Sequence, residues 1–411
     1  MKKILPFILS IVIPVIGFSQ ADSVIMGPGY ANQVYYSFSN GEVLSSNNTE
    51  WDIAFGTGGF DTDIRINDGF GAALYLYPNG DTGSWNTIDT NGMQNWLPRY
   101  NSDSSWNITA FAAPGINHPD YGWGIYNSTT HEVVGDSMYI LQLTDGSLKK
   151  FKMNVMSTMG ILTFTYADLD GANQVQGSIN KMNYNTKKHV YYSIKADSTM
   201  DLEPVMGSWD IVFTKYQAPQ PTGGFYPVTG VLTAIDNTVA ESRGEDVNDA
   251  EWFNQDYTAN IGTIGSDWKS FSFTTGWELQ DSLSYFVTDT NDLVWQLYFT
   301  GFGGSSTGKA VFNKMQVGTT SIDKSNVAVN TVSIYPNPAV DNVIIAIESS
   351  ENLNNLDVTV FSLTGQVVYR KVINVVSNTN LEFPVSGWNQ GMYLVRIGND
   401  ENAIIKQLII K

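Results

Sequence analysis

An ordered internal repeat constrains this chain more than any other feature. Trp51-Asp52-Ile53, in TEWDIAFG (49–56), recurs as Trp209-Asp210-Ile211 in GSWDIVFTKY (207–216). Four further word pairs keep the same order: VYYSFSNGE (34–42) with VYYSIKADS (190–198), SSWNITAF (104–111) with SDWKSFSF (266–273), the segment opening DSM at 136 with the one opening DSL at 281, and GILTFTY (160–166) with GKAVFNK (308–314). A single shared word would mean little, but ordered recurrence of five blocks marks a duplication. It predicts two β domains, 21–183 and 184–318, joined near NKMNYNTKKH. In an extended strand Trp and Ile two positions apart share a face, which predicts that Trp51 and Trp209 pack a core with their isoleucines. Asp52 and Asp210 would then lie on the solvent side or bond to an adjacent turn. The Trp-Asp pair therefore reads as a framework strand made twice, and function is expected in the unequal loops between the repeated strands.

Everything past residue 21 reads as β. YYSF, ALYLYP, YILQL, FKMNV, ILTFTY and LVWQLYF are short aromatic and β-branched runs set between NG, DG, GG and DTND turn signals. No long stretch repeats apolar residues at helical spacing, so helices should be few and short. The fold class expected is all-β.

The two ends of the chain have a different character. Lys2 and Lys3 precede an apolar run from Ile4 to Phe18, with Gly17 and Ser19 as small residues at a cleavage point, the pattern of a secretory signal peptide over 1–19. Residues 319–330 are polar and aperiodic and read as a linker. From 331 to 411 a compact series of alternating strands predicts a small Ig-like β-sandwich. No segment of the mature chain is apolar for long enough to form a transmembrane helix.

These last 80 or so residues resemble the type A C-terminal sorting domain of the Bacteroidota type IX secretion system. The resemblance is carried by YPNP (335–338, with Pro336, Asn337 and Pro338), VFSLTGQVVY (360–369), GMYLVRI (391–397) and the terminal KQLIIK with Lys406 and Lys411. It implies passage through the periplasm, recognition by the type IX secretion machinery, and release or attachment at the outer-membrane surface. Residues 30–317 resemble the HmuY-like family of haem-binding β proteins, through the YYSF-type opening strands, the two Trp-Asp-Ile words, SDWKSFSF, and SLSYFVTDTNDLVWQLYFTGF with its GKAVF strand. That resemblance implies two tandem HmuY-like antiparallel β domains and a haem cargo held by axial histidines.

The chain has three histidines and no cysteine, which excludes disulfides, thiolate metal sites and a catalytic thiol. Iron needs a lone pair from His or Met. His118 and His131, both in an insertion of repeat one, are the candidate pair, with Met93 as the methionine alternative; repeat two has no comparable pair. The 11 Trp and 21 Tyr supply material for an apolar pocket or a sugar-stacking surface. Trp123 and Tyr126, between glycines, are the rings expected to be exposed, and Phe225 with Tyr226, after PTGG, form a further dense aromatic set that could bind a ligand. Asp168 and Asp170 of DLDG are candidate oxygen ligands for calcium, although the same residues serve hairpin turns. Haem and calcium are thus the cofactor classes left open.

A formal net charge of -18 disfavours nucleic-acid partners, which need clustered Lys and Arg. No zinc-protease, nucleophile-elbow, P-loop or dinucleotide motif occurs, and the expectation is no enzyme. The reading is a secreted or surface-attached binding protein for haem or another planar apolar ligand. The alternative is a structural or adhesive surface protein, with a surface glycan as ligand and no haem.

Overall fold

The computed structural model describes residues 20–59, 61–112, 118–319, 329–349, 352–362, 366–376, 378–398 and 403–411. The signal segment 1–19 and residues 320–328 of the linker lie outside them. The chain divides into two compact units, Met1–Thr320 and Ser321–Lys411. Both are built from antiparallel sheets; among the described residues the one α-helix is the single turn Gly304–Thr307.

In the first unit, the repeated opening strands do not pair with the Trp-Asp strand that follows them. Strand Asn32–Ser37 of repeat one pairs with Ile211–Pro219 of repeat two, placing Tyr36 opposite Ile211 and Val34 opposite Phe213. Reciprocally, His189–Ser193 pairs with Ile53–Gly56, placing Tyr192 opposite Ile53 and Val190 opposite Phe55. The two copies have exchanged strands. Two hydrophobic cores result, and each draws on both sides of residue 183. Ile53, Phe55, Phe111, Trp123, Phe151 and Phe164 pack with Val190, Tyr192 and Ile194. Val24, Val34, Tyr36 and Phe38 pack with Ile211, Phe213, Tyr285 and Phe312.

The duplicated aspartates hold the exchange in place. Asp52 N–H donates to the Tyr192 carbonyl at 3.0 Å and its Oδ2 accepts from Ile194 N–H at 2.8 Å. Asp210 does the same on the other side, donating to the Tyr36 carbonyl at 2.8 Å and accepting from Phe38 N–H at 2.7 Å. Both side chains are buried rather than on the solvent side. Burial raises the carboxyl pKa of each, and the backbone N–H donors oppose that rise. The same clamp turns the chain just before the strand, so Trp51 and Ile53 do not share a face. Ile53 enters the first core, whereas Trp51 packs edge-on against Tyr191 on the other side of the sheet. Trp209 likewise meets Tyr35, away from Ile211.

The second unit is a sandwich of a three-stranded sheet (Val329–Tyr335, Asn342–Ser349, Asn378–Pro384) and a four-stranded one (Val367–Val375, Leu353–Ser362, Gly391–Gly398, Ala403–Ile410). Alternate residues Val343, Ile345 and Ile347 of one sheet meet Val358, Val360, Val395 and Ile397 of the other. YPNP runs beside the last strand. Asn337 Nδ2 donates to the Gln407 carbonyl and its Oδ1 accepts from Ile409 N–H, each at 2.8 Å. Lys411 N–H reaches the Ala339 carbonyl at 2.9 Å, and Lys406 stands exposed on the last strand.

Candidate functional site

Strand alternation that sends Val34, Tyr36, Val190 and Tyr192 into the cores sends Tyr35 and Tyr191 the other way, into the seam between the exchanged sheets. Their hydroxyls lie 3.1 Å apart, and burial pushes both phenols well above their usual range. Around them is a polar interior with a cavity of about 40 Å³, room for ordered water, lined by Gln33, Arg65, Asp68, Asn101 and His189 among others. Asp68 reaches this cavity because Gly69 lies flat against the neighbouring strand: a Cβ there would sit 2.3 Å from the Lys215 carbonyl oxygen.

Glu203 organises one side of the seam. Its Oε1 accepts from the N–H groups of Lys188 (2.7 Å) and His189 (3.3 Å), and its Oε2 from the Tyr191 hydroxyl (3.1 Å). His189 Nδ1 lies 3.3 Å from the same Oε2. A carboxylate surrounded by donors fixes the imidazole with its proton on Nδ1, which leaves Nε2 as a bare acceptor. Nε2 is buried without a partner. The position that corresponds to His189 in repeat one is Gln33, whose amide is used up on Ser46 Oγ and the Leu202 carbonyl. Here the duplicated halves diverge in chemistry. Trp106, from the repeat-one loops, lies beside His189 with ring centroids 5.9 Å apart, and Arg65 stacks on the Trp106 ring at 4.9 Å.

Two seam groups titrate with opposite sign. Burial lowers the His189 pKa below 6.5, so the unfolded chain gains a proton first and stability is lost as pH falls below about 6.5. Burial raises Asp68 from 3.8 to about 6, against the pull of Arg65 and Asn101, so Asp68 adds stability as pH falls from 6 to 3.8. Relative to Asp68→Asn, the wild-type protein should therefore gain up to about 3 kcal/mol across that acid window. Urea unfolding of both proteins at several pH values measures this, and a pH-independent difference would contradict it.

The residues singled out in the sequence fall in different places. Trp123 is fully buried in the first core, with its indole N–H on the Thr62 carbonyl at 2.9 Å. The glycines beside it are there for close packing, and Gly122 also for its left-handed φ of 86°: a Cβ on Gly122 would sit 2.3 Å from the Ala112 carbonyl oxygen, and one on Gly124 2.5 Å from that of Val134. Tyr126 is half-buried, with its hydroxyl on His131 Nδ1 at 2.7 Å and its ring 4.7 Å from that of His118. The structure thus gathers His118, Tyr126 and His131, both histidines being exposed. Met93 is in a separate cluster with Tyr77 and Ile88. Phe225 and Tyr226 are exposed, Phe225 lying against Tyr100. Asp168 is engaged by Lys149 and Asn173, and Asp170 accepts from Ala172 N–H, the bonding of a hairpin turn. Among the described residues no group of three or more His, Asp or Glu is placed to hold a metal ion.

One exposed feature was not singled out in the sequence. The hairpin Lys269–Ser272 with Gly276–Leu279 carries Phe271, Phe273 and Trp277, and Phe273 is fully exposed. Phe271 meets Phe273 at 5.5 Å and Trp277 at 5.3 Å, and Trp277 is braced by Phe302 at 4.9 Å. The crowding of Phe271, Phe273 and Trp277 around the TTG turn in SFSFTTGWEL was a usable signal, since turn positions seldom face a core.

Residues 333–411 match the family described as Secretion system C-terminal sorting domain. The terminal unit is that sorting domain. The chain is accordingly a substrate of the type IX secretion machinery and is secreted or held at the outer-membrane surface by that route. No curated protein matches the chain. Among solved structures, dimeric latent PorU from Porphyromonas gingivalis is aligned at 11% identity over 92% of this chain and 40% of that one, with a TM-score of 0.18. The chain spans about two fifths of that protein's length. At this similarity the alignment carries neither a fold assignment nor an activity. Removing 333–411 should leave the protein in the periplasm, and surface display of the truncated chain, read by protease shaving of whole cells, would contradict the assignment.

Proposed function

We propose that the sorting domain delivers a non-catalytic, adhesive binding protein to the cell exterior, and that its ligand is a surface glycan. The observation that carries this reading is the aromatic hairpin: Phe273 is fully exposed and Phe271 about half exposed, which packing of the fold does not require. Flat rings on a rigid hairpin offer large contact area at low ordering cost, and the acidic chain does not favour phosphate-rich partners. Phe225 and Tyr226 offer a second platform of the same kind.

Retardation of the purified protein in gels containing polysaccharide tests the reading. Phe271→Ser with Phe273→Ser should abolish retardation while shifting stability by no more than about 0.5 kcal/mol, as exposed positions do. Unchanged retardation would remove the hairpin from the ligand site.

A haem-binding reading in the HmuY-like manner rests on a separate observation, the grouping of His118 and His131 around Tyr126. Hemin titration decides it. A Soret shift lost in a His118→Ala, His131→Ala variant supports haem, and no shift at micromolar hemin rejects it.

A further inference from the structure

His189 also lines a second space. A surface crevice is lined by Trp106, Trp209, Met206, Ala234 and Ile235, with the buried His189 and Glu203 also on its wall. The two indoles stand perpendicular, with centroids 6.3 Å apart, and each is fixed from behind. Trp106 donates its N–H to the Thr233 carbonyl at 2.8 Å, and Trp209 packs on Tyr35 at 4.9 Å. Two of the charged groups that line it are already committed, and the third, Asp236, is exposed. Lys188 is held by Asp61 and Asp63 at 2.9 and 3.0 Å, and Glu203 accepts from Lys188, His189 and Tyr191. What remains for a visitor is two aromatic walls, a flexible methionine, the exposed Asp236 and Thr290, and one buried acceptor.

We propose that the Trp106–Trp209 crevice binds a small, flat aromatic molecule carrying one N–H or O–H donor, which His189 Nε2 reads. Three observations favour that class. His189 is 2% exposed and its Nε2 is unpartnered, so a ligand donor there replaces an unpaired buried polar group with a hydrogen bond. The walls are mostly aromatic and aliphatic, with Asp236 and Thr290 as exposed polar exceptions, which suits a ring more than a ligand with many hydroxyls. The enclosed part is only about 10 Å³, the space of a single water, so the part of the ligand that reaches Nε2 has to be a slim edge. Met206, unbranched and 38% exposed, is the side chain that can move aside to admit the rest of the ring.

The site has no counterpart at the equivalent position of repeat one. Gln33 fills the corresponding position in repeat one, and there Trp51 is closed off by its own hydrogen bond to Asn48 Oδ1 at 2.6 Å. One ligand per chain follows. The site is independent of the aromatic hairpin, so either assignment can fail without the other.

Indole and 1-methylindole separate the proposal from its rivals, because they share a ring system and differ in the donor. Titration calorimetry on the full-length exported protein should show one indole bound per chain, with 1-methylindole weaker by about tenfold or more, the usual cost of leaving a buried acceptor unpaired. Met206→Trp fills the crevice from its exposed rim without touching the buried network, and should abolish indole binding while leaving the unfolding temperature unchanged. Equal affinity for the two indoles, binding that survives Met206→Trp, or no binding of indole at millimolar concentration would each overturn the assignment. The last result would mean that the crevice holds a trapped water only.

Discussion

Chains cut between residues 183 and 184 should each fail to fold alone and should recover when mixed. The fragment 20–183 keeps Ile53 and Phe55 but loses Val190, Tyr192 and Ile194, which complete their core; 184–320 loses Val34, Tyr36 and Phe38 from its own. Full burial of one such side chain is worth roughly 1.5–3 kcal/mol, so three amount to about 5–9 kcal/mol. That is comparable to the roughly 5–15 kcal/mol that holds a typical domain together. The exposed sheet edges would add a hydrogen-bonding loss and a route to aggregation. Near-ultraviolet circular dichroism and thermal unfolding of each fragment, then of the mixture, provide the measurement. Two independent cooperative transitions would show that the exchanged strands are dispensable and that 21–183 and 184–318 are self-sufficient domains.

Glu203→Ala is the point substitution with the largest expected cost. It strands two backbone N–H groups, the His189 Nδ1 proton and the Tyr191 hydroxyl in an interior where His189 and Glu203 are each 2% exposed. Removing one partner from such a network costs about 3–5 kcal/mol. Glu203→Gln should cost less, because one oxygen remains for the backbone donors. It would also offer His189 an amide N–H in place of an acceptor, which favours the opposite tautomer and turns Nε2 into a donor. A loss below about 1 kcal/mol for Glu203→Ala in urea unfolding would mean that water replaces the carboxylate, and that the seam is wetter than its burial implies.

Both predictions rest on contacts that no single stretch of sequence encodes. The duplication, the β class and the sorting unit were legible because each is written locally: alternation with period two, turn residues at fixed places, and ordered words. The burial of Asp52 and Asp210 was not. A polar residue between two apolar ones reads as solvent-facing until the strand end that it caps is known, and that end is 142 residues away for Asp52 and 172 for Asp210. Trp123 misled for a related reason. Flanking glycines signal a loop locally, but here they remove Cβ atoms that would strike two other segments. The gathering of His118 and His131 about Tyr126 was half legible, since insertion residues close in sequence meet by a short hairpin, whereas Met93 was drawn off by its own cluster.

By itself the sequence determined that the chain is almost all β, that five words recur in order, and that the last strands are a sorting domain. Hydrophobic period and motif order suffice for those statements. Only the tertiary structure decided which copy of each strand pairs with which. VYYSF and VYYSI offer nearly the same hydrogen bonds and apolar face to either Trp-Asp strand, so local energies barely distinguish the partners. The two buried aspartate clamps are equivalent as well, so they hold the observed pairing without selecting it. The resulting fold brings Trp106, from the first repeat, onto His189, Glu203 and Trp209 of the second, and the candidate crevice lies where they meet.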